Sequence, residues 1–202
     1  VDLVGRGDLV GLMPIEEYLE GVVAGEVPGD WPMEALKAQA VAARSFTVAK
    51  LIEREPRSPE WLFEASVEDQ VFDLSRVNPR ATEAVRATAG EVLTAISPNG
   101  GIGHPAKVIA ANYHSDCGGH TDEPSVVWGG TREKNGTARD ASCALRSRSS
   151  WRYVAELSEF TTRLSRHGLV PSQFQLAAIS VGKRSSGGRA LEISARSNDG
   201  QE

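Results

Sequence analysis

The sequence has no long hydrophobic run, only two cysteines, no basic excess and no internal repeat. A membrane-spanning helix needs about 18 consecutive apolar residues, and no segment reaches that length. The formal net charge of −5 lacks the basic footprint of nucleic-acid-binding domains. The 202 residues, 40% of them hydrophobic, are enough to bury the core of one soluble domain. These features argue against a membrane-spanning segment in this chain and against a nucleic-acid partner.

The beginning of the chain has neither the basic start nor the apolar stretch of a secretion signal. The sequence VDLVGRGDLV is instead typical of a strand, a turn and a second strand. The last residues, SNDGQE, follow closely on another predicted strand. We therefore expect one domain over 1–202 that is truncated at both ends, with any signal or membrane anchor outside this chain.

Helices are predicted mainly in the first half of the chain. Pro14 suits a first helical turn, and positions 15, 18, 19, 22 and 23 put apolar side chains on one face until Pro28 ends the segment. The segment 32–51 is rich in helix formers and apolar over most of its circumference, which is typical of a central buried helix. Further helices are predicted over 79–89 and 156–166.

Strands are predicted mainly later, without a regular alternation of strand and helix. The expected ranges are 91–96, 107–115, 151–154, 175–184 and 189–197. This order favours an α+β fold. In it, a helical N-terminal part with a central buried helix packs on mostly antiparallel strands, and an active-site cleft lies between them.

One carboxylate lies on the apolar face of the first predicted helix. At about 100° per residue, Glu26 projects only about 20° from Ile15, whereas the other three glutamates of this segment project to the polar side. Burial disfavours the ionised form of a carboxyl group and keeps it protonated near neutrality, as a general acid requires. The alternative is that Gly25 ends the helix and Glu26 turns into solvent. The pattern alone leaves both open.

A second polar cluster, YHSDCGGHT, follows the predicted strand at 107–115. One interpretation is a substrate cleft, because the backbone at Gly118 and Gly119 can approach a ligand closely. Another is a zinc site, and a third is a glycine turn held by a disulfide; free thiols are the fourth possibility. The candidate zinc ligands are His114, Cys117, His120 and Cys143. A cysteine–histidine nucleophile pair has no other support in the sequence.

Two further polar residues have a structural and a functional interpretation. Arg44, on the second predicted helix, is either a surface or capping arginine or the holder of a polar or anionic group opposite Glu26. Gln70, in the strand fragment DQVF, would usually be a surface amide.

Taken together in chain order, these segments resemble the SpoIID/LytB family, named for the stage II sporulation protein D and the amidase enhancer. The matching segments are MPIEEYLEGVVAGEVP, WPMEALKAQAVAARSFTVAK, DQVF, ATEAVRATAGEVL, NYHSDCGGHT, VVWGG and a late tryptophan at Trp151. The resemblance covers residues 9–195. Its first two segments are the most specific.

The resemblance implies a peptidoglycan lytic transglycosylase. Such enzymes cut glycan strands that lack stem peptides and leave 1,6-anhydro-N-acetylmuramic acid ends. The resemblance assigns the catalytic acid to Glu26 and a functional arginine to Arg44. The substrate-binding residues that we expect are Arg44, Ser45, Gln70, His114, Ser115, Gly118, Gly119, Thr121 and Trp128. The alternative function is a non-catalytic, glycan-binding enhancer of an N-acetylmuramoyl-L-alanine amidase.

The resemblance also implies partners and a location. The expected ligands are peptidoglycan glycan strands, with a cell-wall amidase as a candidate protein partner, in an extracytoplasmic protein that is secreted or membrane-anchored. No cofactor is required, although some members hold zinc near the loop that matches YHSDCGGHT. One departure is Phe72, at a position often occupied by tyrosine in relatives, which removes a phenol hydrogen bond.

Overall fold

The structure is a computed structural model that describes residues 2–4, 10–54, 63–64, 69–95, 106–129, 136–146 and 152–200. The chain forms two compact units, Val1–Tyr113 and His114–Glu202. Helices and paired strands occur in both units, which confirms the α+β class. Among the described helices, none combines the length and the apolar character needed to cross a membrane.

The first unit combines a small sheet with three helices. Its elements are β1 (Asp2–Val4), β2 (Val10–Leu12), α1 (Ile15–Glu26), α2 (Met33–Arg54), β3 (Phe63–Glu64), a 3-10 turn (Leu74–Arg76) and α3 (Pro79–Ala87). Strand β1 lies between β2 and β3, antiparallel to β2 and parallel to β3. The antiparallel pair confirms the two strands predicted at the start of the chain, and the predicted turn between them lies outside the described residues.

The core of the first unit lies between its three helices. Helix α1 begins after Pro14, whose carbonyl accepts the N–H of Tyr18 at 3.0 Å. The predicted apolar stripe is confirmed, because the α1 side chains at 18, 19, 22 and 23 are fully buried. They pack against small and aliphatic residues of the other two helices: Leu36, Ala40 and Ala43 on α2, and Ala81, Ala84 and Val85 on α3. The prediction of a central buried helix is thereby confirmed for α2.

Helix α3 begins and ends close to the predicted residues. The Asn78 side chain caps it by accepting the N–H of Ala81 at 3.1 Å, and Pro79 occupies the first helical position. It ends at Ala87, two residues before the predicted end, and a turn at 88–90 follows.

The two strands predicted over 91–96 and 107–115 are wrong in extent. The chain pairs there only around the bridge of Thr94 with Val108, where Ala95 donates to the Lys107 carbonyl at 2.8 Å. The described residues on either side have irregular backbone. The alternation of apolar residues reflects half-buried packing here rather than a continuous ladder.

The described part of the second unit contains three helices and a two-stranded antiparallel sheet. Its elements are α4 (Pro124–Trp128), α5 (Ala141–Arg146), α6 (Leu157–Arg166), β4 (Leu176–Val181) and β5 (Ile193–Ser197). Helix α6 and both strands confirm the predictions for this part. Residues 152–154, predicted as strand, are irregular, and Trp151 lies outside the described residues.

Candidate active site

Glu26 is the last residue of α1, so the predicted helix does persist to this carboxylate. The side chain is half-buried rather than enclosed. Its Oε1 accepts the backbone N–H of Val71 at 2.8 Å and lies 3.4 Å from the Tyr113 hydroxyl. Within the described part of the chain, Oε2 makes no hydrogen bond. One carboxyl oxygen is therefore held by the protein, and the other is left for a ligand.

Two glycines on α1 allow the segment at 71–73 to lie against the helix. A Cβ on Gly25 would lie 2.9 Å from the carbonyl oxygen of Val71, and one on Gly21 would lie 2.5 Å from the Phe72 ring. The N–H of Asp73 donates to the Gly21 carbonyl at 3.3 Å. The close approach of this segment brings the Val71 N–H within reach of Glu26.

The same segment is anchored to the helices at both sides of Val71. Before it, Asp69 forms an ion pair with Lys50 of α2, and both side chains are largely buried. After it, the Phe72 ring stacks on the Tyr18 ring with centroids 5.5 Å apart and planes 17° apart. The phenylalanine that departs from the family pattern thus packs against α1.

Gln70 is fully buried and connects three hydroxyl groups. Its Nε2 donates to the Tyr18 hydroxyl at 3.2 Å and to Thr47 Oγ1 at 2.9 Å. Its Oε1 accepts from the Tyr113 hydroxyl at 3.0 Å. Since Thr47 gives its own proton to the Ala43 carbonyl at 2.8 Å, it can only accept from Gln70, which fixes the orientation of the amide.

Both tyrosines of this network stay protonated over the physiological pH range. Burial raises the pKa of Tyr18 to about 12, against the opposing effect of the Gln70 hydrogen bond and with the support of the Glu26 charge. Burial also raises the pKa of Tyr113, and the charge of Glu26 adds to this effect. The two phenols therefore act as neutral hydrogen-bonding groups, not as bases.

Sequence reasoning missed both tyrosines as site residues. Tyr18 stands on the buried stripe of α1, and Tyr113 begins the segment YHSDCGGHT. The signal that would have found them is a tyrosine on an otherwise apolar face, because a buried phenol needs a polar partner for its hydroxyl.

Arg44 joins the three helices of the first unit. Its guanidinium binds both carboxylate oxygens of Glu16, at 3.0 and 2.8 Å. It also donates to the carbonyls of Val85 and Glu91 at 3.1 and 3.2 Å, and to Thr88 Oγ1 at 3.4 Å. In this structure the Arg44 side chain is only 2% exposed, and the expectation that it holds a substrate group opposite Glu26 stays a prediction.

Ser45 and Gln70, also predicted to bind substrate, are buried in the same way. The Ser45 hydroxyl donates to the Val41 carbonyl at 2.6 Å and accepts the N–H of Leu93 at 2.8 Å. The Gln70 side chain is linked to Glu26 through the Tyr113 hydroxyl. Internal hydrogen bonds hold both side chains, and their roles as ligand contacts stay predictions.

Two of the predicted ligand contacts in the second unit serve internal packing. A Cβ on Gly119, which has a φ of +101°, would lie 2.7 Å from the Ala144 side chain on α5. The Thr121 hydroxyl accepts the N–H of Ala138 at 2.8 Å. Gly119 therefore accommodates α5, and Thr121 pairs with the residues just before α5; their roles as ligand contacts stay predictions.

The other residues predicted for ligand contact in this unit have exposed surface. His114, Ser115 and Gly118 are exposed, and Trp128 at the end of α4 is 59% exposed. These placements are compatible with contact to a sugar, and their roles as ligand contacts stay predictions.

The two cysteines are free thiols that lie close to a carboxylate. The ligand atoms of Cys117, Asp140 and Cys143 all lie within 4.8 Å of one another. Helix capping places Asp140 here, because its Oδ1 accepts the N–H of Cys143 at 2.9 Å at the start of α5. Two thiols and a carboxylate are ligand types that Zn²⁺ accepts, so the cluster fits three of its four usual positions.

Neither predicted histidine belongs to this group of potential ligands. The Nδ1 atom of His120 lies 2.6 Å from the Thr121 carbonyl oxygen, and His114 is exposed. Among the described residues, Asp140 rather than a histidine lies beside the two cysteines, and zinc binding stays a prediction.

A neighbouring carboxylate keeps Cys143 in its thiol form. The Sγ of Cys143 donates to Asp116 Oδ1 at 3.1 Å, and this hydrogen bond raises the pKa of the thiol. The same contact, with the N–H of Gly118, lowers the pKa of Asp116. A nucleophilic cysteine needs a lowered pKa, so this geometry argues against Cys143 as a nucleophile.

A buried aspartate links two loops of the second unit. Asp122, 5% exposed, accepts hydrogen bonds from the Ser185 hydroxyl, the Gly187 N–H and the Arg189 guanidinium at 2.9, 3.1 and 2.7 Å. Burial alone would raise the pKa of Asp122, but these three donors lower it below its ordinary value. Arg189 also donates to the Cys117 carbonyl. This bond connects the loop at 117–121, the cysteine loop, to the loop between β4 and β5.

Comparison with known proteins gives one matching family. Residues 5–94 match the model of the SpoIID family, described as stage II sporulation protein. The chain is 32% identical to the stage II sporulation protein D of Bacillus amyloliquefaciens, over 57% of this chain and 35% of the relative. It is 34% identical to the amidase enhancer of Bacillus subtilis (strain 168), over 54% of this chain and 13% of the relative.

A longer alignment relates it to an uncharacterized protein of Brachyspira hyodysenteriae, with 29% identity over 95% of this chain and 49% of the relative. The chain thus spans about half the length of that relative, and about a third or less of the other two.

Proposed function

Because the chain belongs to the SpoIID/LytB family, we propose that it is a lytic transglycosylase of the bacterial cell wall. Its substrate is the peptidoglycan glycan strand from which stem peptides have been removed, and its product carries a 1,6-anhydro-N-acetylmuramic acid end. The names of the relatives by themselves support a coarser statement, a role connected with the cell wall.

The observation that carries the proposal is the placement of the Glu26 carboxyl group. Val71 holds Oε1 from the backbone, while Oε2 has no hydrogen-bond partner among the described residues. A carboxyl group that is half-buried and held by one oxygen has a defined direction in which to transfer a proton. This is the geometry that a general acid needs before substrate arrives.

One carboxyl group suffices for this reaction. Ordinary glycosidases use a pair of carboxylates, because one of them must activate water or attack the sugar. In a transglycosylase the C6 hydroxyl of the same muramic acid attacks the anomeric carbon, so no water is activated. The bond from C1 to the bridging oxygen breaks, and a bond from C1 to O6 forms.

Glu26 performs both proton transfers of this sequence. As an acid it gives its proton to the bridging oxygen that leaves with the next sugar. As a carboxylate it then accepts the proton of the C6 hydroxyl, which returns it to the starting state without consumption of water. Proton transfer by a positioned side chain is worth about 10²- to 10⁴-fold in rate.

The neutral tyrosines suit this single-carboxylate chemistry. Tyr18 and Tyr113 remain protonated, so neither competes with Glu26 as a base. The exposed residues His114, Ser115, Gly118 and Trp128 remain the candidates for contact with sugar hydroxyls, N-acetyl groups and ring faces. An aromatic side chain such as Trp128 suits the apolar face of a sugar ring.

Zinc is not required for this reaction. When bound, Zn²⁺ would be held by Cys117, Asp140 and Cys143 and would cross-link the cysteine loop to α5, the usual contribution of a structural zinc ion. Action on peptidoglycan places the protein outside the cytoplasm, as a secreted or membrane-anchored protein.

The second candidate function is a glycan-binding module that enhances a cell-wall amidase. It rests on the similarity to the amidase enhancer of Bacillus subtilis, which covers 54% of this chain. An amidase is then the protein partner, and Glu26 contacts sugar without transferring a proton.

Mass spectrometry of denuded glycan strands incubated with the protein tests the proposal. A lytic transglycosylase releases fragments with anhydro ends, whereas a hydrolase releases fragments heavier by one water. Unchanged strands, together with faster stem-peptide removal by an added amidase, would support the enhancer.

A further inference from the structure

We propose that Tyr113 is a positioning residue whose hydroxyl proton points at Gln70 while Glu26 is an acid and swings to Glu26 Oε1 as that group becomes a carboxylate. The inference deepens the proposed function and rests on it for its catalytic meaning. The hydrogen bond to Glu26 is then strongest at the moment when the carboxyl group acquires its charge.

The Tyr113 hydroxyl has two acceptors within reach and one proton to give. Gln70 Oε1 lies 3.0 Å away and Glu26 Oε1 lies 3.4 Å away. A phenol donates a single hydrogen bond, so the two contacts compete for it. The choice between them depends on which oxygen is the stronger acceptor.

Gln70 is a fixed acceptor, because the rest of its amide is fully used. Both hydrogens of its Nε2 go to oxygens, those of Tyr18 and Thr47. Thr47 gives its own proton to the Ala43 carbonyl. A flipped amide would therefore place Gln70 Oε1 against Thr47 Oγ1, which are both acceptors. The strength of Gln70 Oε1 as an acceptor therefore stays constant through a reaction.

Glu26 is a variable acceptor. In the protonated form of Glu26, Oε1 is a neutral carbonyl-type oxygen that already accepts the Val71 N–H. The Tyr113 hydroxyl then donates to Gln70 Oε1, which is the nearer acceptor. In the carboxylate the same oxygen carries charge, and hydrogen bonds to charged acceptors are shorter and about twice as strong as neutral ones. The O–H bond of Tyr113 then turns to donate to Glu26 Oε1, with its proton still on the phenol, and the 3.4 Å contact shortens, as catalytic hydrogen bonds often do on passing to the reacting complex.

This exchange lowers the energy of the carboxylate without weakening the resting state. An interaction that forms only as charge develops lowers the barrier, whereas one that is equally strong throughout does not. When Glu26 takes the proton of the C6 hydroxyl, the phenol returns to Gln70. No proton leaves Tyr113 during the cycle, which agrees with its raised pKa.

Other charged or titratable groups lie on the elements packed around Glu26. They include Tyr18 on α1, Lys50 on α2, and Asp69, Asp73 and Arg76 on the segment that carries Val71. Lys50 and Asp69 neutralise each other as an ion pair, and Arg76 donates to the Gly25 carbonyl at 3.4 Å. Because several groups titrate here, an experiment must isolate the response to Glu26 by substitution.

The catalytic part of the inference is tested with four proteins: wild type, Tyr113→Phe, Glu26→Gln and the double variant. On denuded glycan strands, Tyr113→Phe should lower kcat about tenfold to a hundredfold, the loss expected for one hydrogen bond to a charged group, with KM close to wild type. In the Glu26→Gln background the same substitution should change nothing. Tyr153→Phe is the matched control, because Tyr153 is an exposed tyrosine of the second unit.

A second measurement follows the hydroxyl without any need for activity. The chain has only three tyrosines, so protein labelled with ¹³C at the tyrosine ζ carbon gives three resonances that Tyr→Phe variants assign. From about pH 3 to about pH 8, which spans the usual titration of carboxyl groups, the Tyr113 resonance should move with pH. In Glu26→Gln that movement should disappear, while the Tyr153 resonance stays as in wild type. Circular dichroism restricts the comparison to the pH range in which the proteins are folded.

Each outcome decides a different claim. The inference is overturned if the Tyr113 resonance does not move with pH in wild type, or if it moves equally in Glu26→Gln. An equal loss of kcat from Tyr113→Phe in both backgrounds also overturns it, since the residue would then be merely structural. Wild type that cleaves no strands while the Tyr113 resonance follows Glu26 would overturn the proposed function and leave the hydroxyl exchange standing.

Discussion

The backbone N–H of Val71 donates to Oε1 of Glu26 at 2.8 Å. This contact holds one oxygen of the carboxyl group at the end of α1 and leaves the other oxygen to a ligand. It depends on the close approach of the segment at 71–73 to α1, which Gly21 and Gly25 permit. The orientation of the acid is therefore encoded by backbone packing before any substrate binds.

Gly25→Ala should destabilise the protein and abolish most strand cleavage. Helix propensity alone would favour alanine by up to about 1 kcal/mol. The added methyl group, however, would lie 2.9 Å from the Val71 carbonyl oxygen, which is backbone and can move only with its segment. Urea unfolding and the cleavage assay measure the two effects. Glu17→Ala, at an exposed position of the same helix, is the control, and a Gly25→Ala protein of raised stability and full activity would refute the close packing.

Arg44→Met should cost about 3–5 kcal/mol of folding free energy, because it leaves the partners of a buried guanidinium without their donor. Arg163→Met on α6 should cost no more than about 0.5 kcal/mol, since its ion pair with Glu159 is exposed. Urea denaturation measures both. An Arg44→Met protein of wild-type stability that has lost only activity would support Arg44 as a ligand-binding residue.

Asp122 should make stability depend on acid pH. Its pKa in the folded protein is lowered, so its contribution is fully present above the ordinary aspartate pKa of about 3.9 and is lost as pH falls through the lower, folded value. Asp122→Asn should therefore be less stable than wild type near pH 6, and the difference should shrink below about pH 4. Urea midpoints at the two pH values supply the measurement, and a difference that grows in acid would contradict this sign.

Zn²⁺ affinity should depend on Asp140 and both cysteines rather than on the histidines. We expect Asp140→Asn to weaken Zn²⁺ binding and His120→Ala to leave it unchanged, because the Cys117, Asp140 and Cys143 donor atoms lie together. A competition titration with a colorimetric zinc chelator measures both variants. Binding that survives Asp140→Asn but fails in His120→Ala would favour the ligand set that the sequence suggested.

The helices were predictable from sequence because their signals are local. Pro14, the apolar spacing of α1 and the alanine-rich α2 each specify helix within a few residues. The persistence of α1 to Glu26 is confirmed, although its depth of burial is not. How deeply a terminal side chain lies depends on what packs beside it, and here that is a segment 45 positions later in the chain.

The roles of the polar residues were less predictable, for the same physical reason. Arg44 looked available for a ligand because the sequence does not show that Glu16 and two carbonyls of the α3 region meet it. Asp140 was missed as a neighbour of both cysteines, because its cap to Cys143 is local but the approach of Cys117, 23 positions earlier in the chain, is not visible in the sequence. Tyr113 was missed because its partners come from α1 and from residue 70.

Cleavage of denuded glycan strands by wild type and Glu26→Gln tests the central claim most directly. The substitution keeps the size of the side chain and an oxygen for the Val71 N–H, but removes the transferable proton. We predict anhydro-ended fragments from wild type and a loss of about 10²-fold or more in rate for Glu26→Gln, with unchanged unfolding behaviour. Glu26→Gln protein that cleaves strands at the wild-type rate would contradict the assignment of Glu26 as the catalytic acid.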